Sequence, residues 1–96
     1  MQKADILNTL TLHKNTLKEK FEIDKIGLFG SYARDEATSN SDIDIYVEFK
    51  NKTFDNIAGL WVYLEELYHK RIDLIHFHKR ANKTIINNIQ KEVIYG

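Results

Sequence analysis

The sequence contains no cysteine, which removes disulfides and thiolate zinc sites from consideration and fits a reducing compartment. It has no surplus of either charge, since fourteen Lys and Arg stand against fourteen Asp and Glu. Proteins that grip a long nucleic acid through many phosphates are as a rule strongly basic, so this balance argues against such a ligand and leaves a single nucleotide open. No apolar run approaches the ~20 residues a membrane span needs, and the first residues lack the apolar segment of a secretory signal. The expectation is a cytoplasmic protein with no membrane role. Repeats, linkers and low-complexity stretches are missing, as are the Walker A, Rossmann glycine and H-E-x-x-H patterns.

What is present suits one globular domain spanning residues 1–96. The chain is 43% hydrophobic and 29% charged, too apolar for disorder, and at this length it buries roughly 60–65% of its unfolded surface. Residues 3–20 carry apolar side chains at helical spacing, with Leu7, Leu10, Leu17 and Phe21 near one face. His13 falls on the polar side and reads as a solvated surface residue. A strand is expected over 25–29, with Gly27 leaving room for a close neighbour. The clearest helix lies over 53–68, where Phe54, Ile57, Trp61, Leu64 and Tyr68 repeat at helical spacing and read as core; Gly59 inside it points to a tight contact. A strand over 71–77 and a helix over 81–90 follow, with 93–95 extended at the end. His76 and His78 form an H-x-H pair that lacks a third zinc ligand.

The chemistry concentrates in 30–49, GSYARDEATSNSDIDIYVEF. Its second half reads as a strand, because β-branched and aromatic residues fit a pleated surface. Side chains alternate along a strand, so Asp42 and Asp44 point the same way. Two carboxylates side by side repel each other and raise one another's pKa, and a cation between them relieves this. Magnesium suits such a site, since it takes a few carboxylates together with phosphate oxygens. The plainer reading is that these Asp residues cap a turn in a Ser/Asn-rich loop or face water at a sheet edge. Upstream, the Gly30-Ser31 turn follows the apolar residues 26–29 and lets backbone N–H groups approach an anion. Ser31 is placed to cap a short helix over 32–37 whose start would face bound phosphate. Asp73 stands among Ile72, Leu74 and Ile75, where a carboxylate is costly unless paired or metal-bound. Its ordinary partner would be Arg71, Lys70 or Lys79.

Gly30-Ser31, ten residues, then Asp42-Ile43-Asp44 resembles the G-S-x10-D-x-D signature of the polymerase-β-like nucleotidyltransferase superfamily, and the short chain resembles its minimal branch. The motif covers about a fifth of the chain, and the order of elements extends the likeness over nearly all of it. The resemblance implies an α/β (α+β) fold, a small mixed β-sheet with helices packed on one side. It implies transfer of a nucleoside monophosphate, AMP from ATP, onto a hydroxyl with two Mg2+ ions. Asp42 and Asp44 would be metal ligands. Asp73 matches the third acidic residue of the family, completing one metal site and favouring a deprotonated acceptor. Gly30 and Ser31 would hold the β- and γ-phosphates, with Arg34 adding a contact. Members of the minimal branch act as antitoxins to small helical HEPN-type toxins and attach AMP to a toxin tyrosine. Two other readings stand beside this: an antitoxin that neutralises its partner by binding alone, and an antibiotic-modifying nucleotidyltransferase. The latter is disfavoured because this chain lacks the further helical domain that shapes the drug site in such enzymes.

Overall fold

A computed structural model describes residues 1–78 and 80–96. The elements run α1 (Lys3–Phe21), β1 (Ile23–Phe29), α2 (Gly30–Ala33), β2 (Ile43–Phe49), α3 (Phe54–Tyr68), β3 (Ile72–His76), α4 (Lys83–Glu92) and β4 (Ile94–Tyr95). The strands form one mixed sheet in the order β3-β2-β1-β4. β1 pairs antiparallel with β2 and β4, while β2 and β3 run parallel. A parallel pair needs a crossover, and α3 supplies it. No described helix is long and apolar enough to cross a membrane.

Local signals set the ends of these elements. The backbone N–H of Gln2 donates to the Asp5 carboxylate at the start of α1, and Glu22 closes it in the left-handed conformation, with φ 53°. Thr53 caps α3 by accepting from the Asn56 N–H at 3.1 Å, so this residue precedes the helix and is not part of it. β1 starts at Ile23, two residues earlier than its sequence suggests, because an irregularity between Ile23 and Lys25 absorbs the polar Asp24.

The main core lies between one face of the sheet and the two long helices. Ile43, Ile45 and Val47 of β2 alternate onto that face, as period two requires, and meet Ile6, Leu10 and Leu17 of α1 with Leu60 and Leu64 of α3. Gly59 is pressed against Phe21, where a Cβ would stand 2.8 Å from the ring. At Gly27 a Cβ would lie 2.6 Å from the Ile94 carbonyl oxygen, so the glycine admits β4 to the sheet. The expected layer of helices holds for α1 and α3, whereas α4 meets the opposite face, where its Gln90 donates to the hydroxyl of the fully buried Tyr46 at 3.1 Å.

Two details depart from the sequence reading. Phe54 and Trp61 do not join the core: they are 82% and 40% exposed, because Leu60, Leu64 and Tyr68 are the α3 residues that turn onto the sheet. His13 is not simply solvated, since its Nδ1 lies 3.0 Å from the Tyr63 hydroxyl across the α1–α3 contact.

Candidate active site

The site grows from the junction of β1 and α2. Phe29 is the register partner of Asp44, so the chain must turn immediately beside that carboxylate. Gly30 makes the turn at φ 76°, in the left-handed region that L-residues with a side chain adopt at a cost. Space requires glycine as well, since a Cβ there would sit 2.7 Å from Asp44 Cγ. The Ser31 backbone N–H also faces the Asp44 carboxylate and favours its charged form. Gly30 and Ser31 are thus brought directly onto Asp44, which their separation in sequence did not reveal.

Ser31 is not the helix cap. α2 is a single turn, Gly30–Ala33, preceded by Phe29 with no side-chain cap bond, and Asp35 at φ 59° ends any continuation toward residue 37. One turn has little macrodipole, so whatever the turn offers an anion comes from its individual N–H groups.

Parallel pairing of β2 with β3 sets Asp44 beside Asp73. The two carboxyl groups face each other across the strands, and the Asp44 carboxyl is pushed from 3.8 up to about 6. Burial is the first cause, followed by the charge of Asp73 and the hydrogen bond to it; the Ser31 N–H works in the opposite direction, and Asp42 adds a smaller push upward. This is the electrostatic tension anticipated for the D-x-D pair, but its main partner is across the sheet and not two residues away. Asp42 lies just before β2 and is exposed. Among the described residues no three Asp, Glu or His side chains converge into a ready-made cation cage.

The ordinary ion-pair reading of Asp73 finds no support in Lys70 or Arg71. The ion pairs among the described residues join Lys3 to Asp35 and Arg34 to Glu36 and Glu92, and Lys79 lies outside the described residues. Lys70 instead donates to the Ser39 carbonyl at 3.2 Å and stands over the Tyr32 ring. It thereby anchors the loop that leads to Asp42, a role no local pattern announces because the partners are 31 residues apart. The Arg34 guanidinium is turned to Glu36 at 2.8 Å and to Glu92 of α4. A cavity of about 760 Å³ lies beside the same loop, lined by Lys3, Tyr32 and Lys70 among others, and takes in neither Asp44 nor Asp73. His76 and His78 keep their rings 6.5 Å apart, and among the described residues no third ligand joins them.

The acid pair fits a hard divalent cation. Magnesium takes one or two carboxylates and fills its octahedron with water and phosphate oxygens, so a pair suffices where a triphosphate supplies the rest. The repulsion from Asp73, which adds to burial in raising the Asp44 pKa, is what a bound cation relieves.

Comparison with known proteins finds relatives along nearly the whole chain. Residues 13–96 match the family described as polymerase beta, nucleotidyltransferase. The protein adenylyltransferase MntA of Thermococcus cleftensis is 38% identical over 92 residues, which span 95% of this chain and 92% of that relative. A solved structure described as a candidate minimal nucleotidyltransferase is similar with a TM-score of 0.75 at 26% identity, covering 98% of this chain and 95% of that one. Another, described as a toxin-antitoxin with AMP-PNP, has a TM-score of 0.69 at 29% identity and covers 93% and 72%.

Proposed function

We propose, for a chain that belongs to the polymerase beta nucleotidyltransferase family, that it is a magnesium-dependent protein adenylyltransferase which transfers AMP from ATP to a tyrosine hydroxyl of a HEPN-type toxin and so acts as its antitoxin. The observation that carries this reading is the Asp44–Asp73 pair, held side by side by the β2–β3 register with the Gly30-Ser31 turn packed on it. The AMP-PNP named with a related toxin-antitoxin structure supports a nucleotide at such a site.

In the transfer, the acceptor oxygen bonds to the α-phosphorus while the bond to the pyrophosphate oxygen breaks. Asp44 and Asp73 would hold the metal, with Asp42, exposed just before β2, as a further ligand. Two Mg2+ ions held there would supply positive charge to the attacking and leaving oxygens. Asp73 would favour the acceptor hydroxyl in its deprotonated form. Gly30 and Ser31 hold the β- and γ-phosphates through backbone N–H groups and the Ser31 hydroxyl. Arg34 adds a cation once the phosphates draw it from its carboxylate partners.

The test is transfer of label from α-labelled ATP to a purified HEPN-type toxin in the presence of magnesium. The wild-type chain labels the toxin, and Asp44→Ala labels nothing while keeping its helical circular dichroism. Transfer by Asp44→Ala at the wild-type rate refutes the assignment. A tight complex with no label in the wild type replaces the enzyme with an antitoxin that acts by binding.

A further inference from the structure

The C-terminal end of α4 arrives at the acid end of the sheet, on the face that carries the acid pair. Tyr46 and Ile86 are buried yet stand apart from the main core. Tyr46 shares a face with Asp44 by strand alternation, and Gln90 of α4 bonds to its hydroxyl, so α4 lies on that face. β4 follows at once: Ile94 pairs with Leu28, which pairs in turn with Ile45, the neighbour of Asp44. α4 therefore ends almost level with Asp44, two strand spacings or about 10 Å to the side. There the Arg34 guanidinium, which follows the Gly30-Ser31 turn, donates to the Glu92 carboxylate, 58 residues away.

Arg34 thus holds two carboxylates of unequal freedom. Glu36 belongs to the same segment as Arg34, and its backbone N–H donates to the Ser31 carbonyl at 2.8 Å, so its side chain can follow the guanidinium. Glu92 is pinned. Val93 behind it is pressed on Gly27, where a Cβ would stand 2.7 Å from the valine methyl, and the Gly96 N–H donates to the Ile26 carbonyl at 3.0 Å. The Glu92 side chain is 30% exposed against 61% for Glu36, so its attraction for Arg34 is less screened. Among the described residues Arg34 is the only ion-pair partner of Glu92. An anion that takes the guanidinium leaves this half-buried carboxylate unpaired, and the cost falls only on ligands that reach Arg34.

We propose that Glu92 is a specificity-determining residue of the nucleotide site: a fixed competitor for Arg34 that weakens the hold on β- and γ-phosphates and acts through that arginine alone. A nucleoside monophosphate has no such phosphates and escapes the competition. Pyrophosphate has both, so Glu92 speeds its departure after transfer by reclaiming Arg34. The place of the triphosphate beside Gly30-Ser31 and Arg34 rests on the adenylyltransferase reading above.

The test is a double-mutant cycle of Glu92→Gln, Arg34→Gln and R34Q/E92Q, with calorimetric binding of Mg·ATP, magnesium pyrophosphate and AMP. Glu92→Gln is expected to bind Mg·ATP and pyrophosphate about two- to fivefold more tightly, the range that loss of a half-exposed ion pair allows, with AMP binding unchanged. Arg34→Gln binds both weaker than the wild type, and adding Glu92→Gln to it brings no further change. Wild-type or weaker Mg·ATP affinity in Glu92→Gln overturns the proposal, as does wild-type affinity in Arg34→Gln. So does an equal gain for AMP, or the same gain without Arg34, either of which would reduce Glu92 to a general negative charge. A wild type that binds no Mg·ATP overturns this proposal and the nucleotide site together. A wild type that binds Mg·ATP and labels no acceptor defeats the transfer reading alone, and the cycle still decides Glu92.

Discussion

Replacing Asp44 by Asn is expected to make the metal-free protein more stable while ending its activity. The Asp44 carboxyl titrates at about 6 in the fold against 3.8 as a free side chain. A raised folded-state value means that the contribution is fully present below pH 3.8 and is lost as pH rises through about 6. At about 1.4 kcal/mol per tenfold change in proton affinity, ionising Asp44 beside Asp73 costs at most about 3 kcal/mol. Part of the side chain is open to solvent, so about 1–2 kcal/mol is the figure to expect. Asn keeps an acceptor for the Ser31 N–H and offers Asp73 a donor, with no charge to lose. In urea titrations without divalent ions, the wild type should lose this stability between about pH 4 and 7. Asp44→Asn should show no such fall and at pH 8 exceed the wild type by that amount, or by about 4–12 °C in Tm. Excess magnesium should narrow the gap by stabilising the wild type alone. A variant less stable than the wild type at pH 8, or a wild-type profile that does not fall through pH 6, refutes the reading of Asp44 as a strained, cation-seeking group.

Other substitutions probe the supports of the site. Gly30→Ala forces a Cβ onto Asp44 at φ 76° and should cost about 2–4 kcal/mol in urea unfolding, abolishing the Mg·ATP thermal shift as well. Gly59→Ala gains about 1 kcal/mol of helix propensity but loses about 1–3 kcal/mol against the Phe21 ring, so unfolding should show a net loss. The Tyr68 hydroxyl donates to the Ile6 carbonyl at 2.8 Å inside the core. Tyr68→Phe should lower stability by about 1 kcal/mol and leave AMP transfer at the wild-type rate.

The sequence made the acids visible because their signal is local. Asp42 and Asp44 stand out by period-two spacing in an apolar run, and Asp73 by its isolation among Ile72, Leu74 and Ile75. The three long helices and the three longer strands were legible for the same reason, since periodicity and caps act within a few residues. The misplacement of Phe54 and Trp61 shows the limit of that reading. Periodicity names a stripe about half a turn wide, but which edge of it meets the sheet depends on where the helix axis lies. Ser31 was misread because a Gly-Ser turn before a polar segment looks like a cap, whereas contact with Asp44 fixes the actual geometry.

Composition and spacing alone determined that this chain folds around alternating helices and strands, needs no disulfide, and carries three acids on or beside strands together with a glycine-serine turn. Tertiary structure decided which of these meet. Strand order and register put Asp44 against Asp73 and set Asp42 exposed at the mouth of the pair, brought Gly30 onto a carboxylate fourteen positions later, and drew Arg34 to Glu92 from the far end of the chain. The reason is physical: propensity and periodicity act over one or two turns of chain, while a charge meets its neighbour through space. Which charges become neighbours is settled only when the sheet closes around a common core.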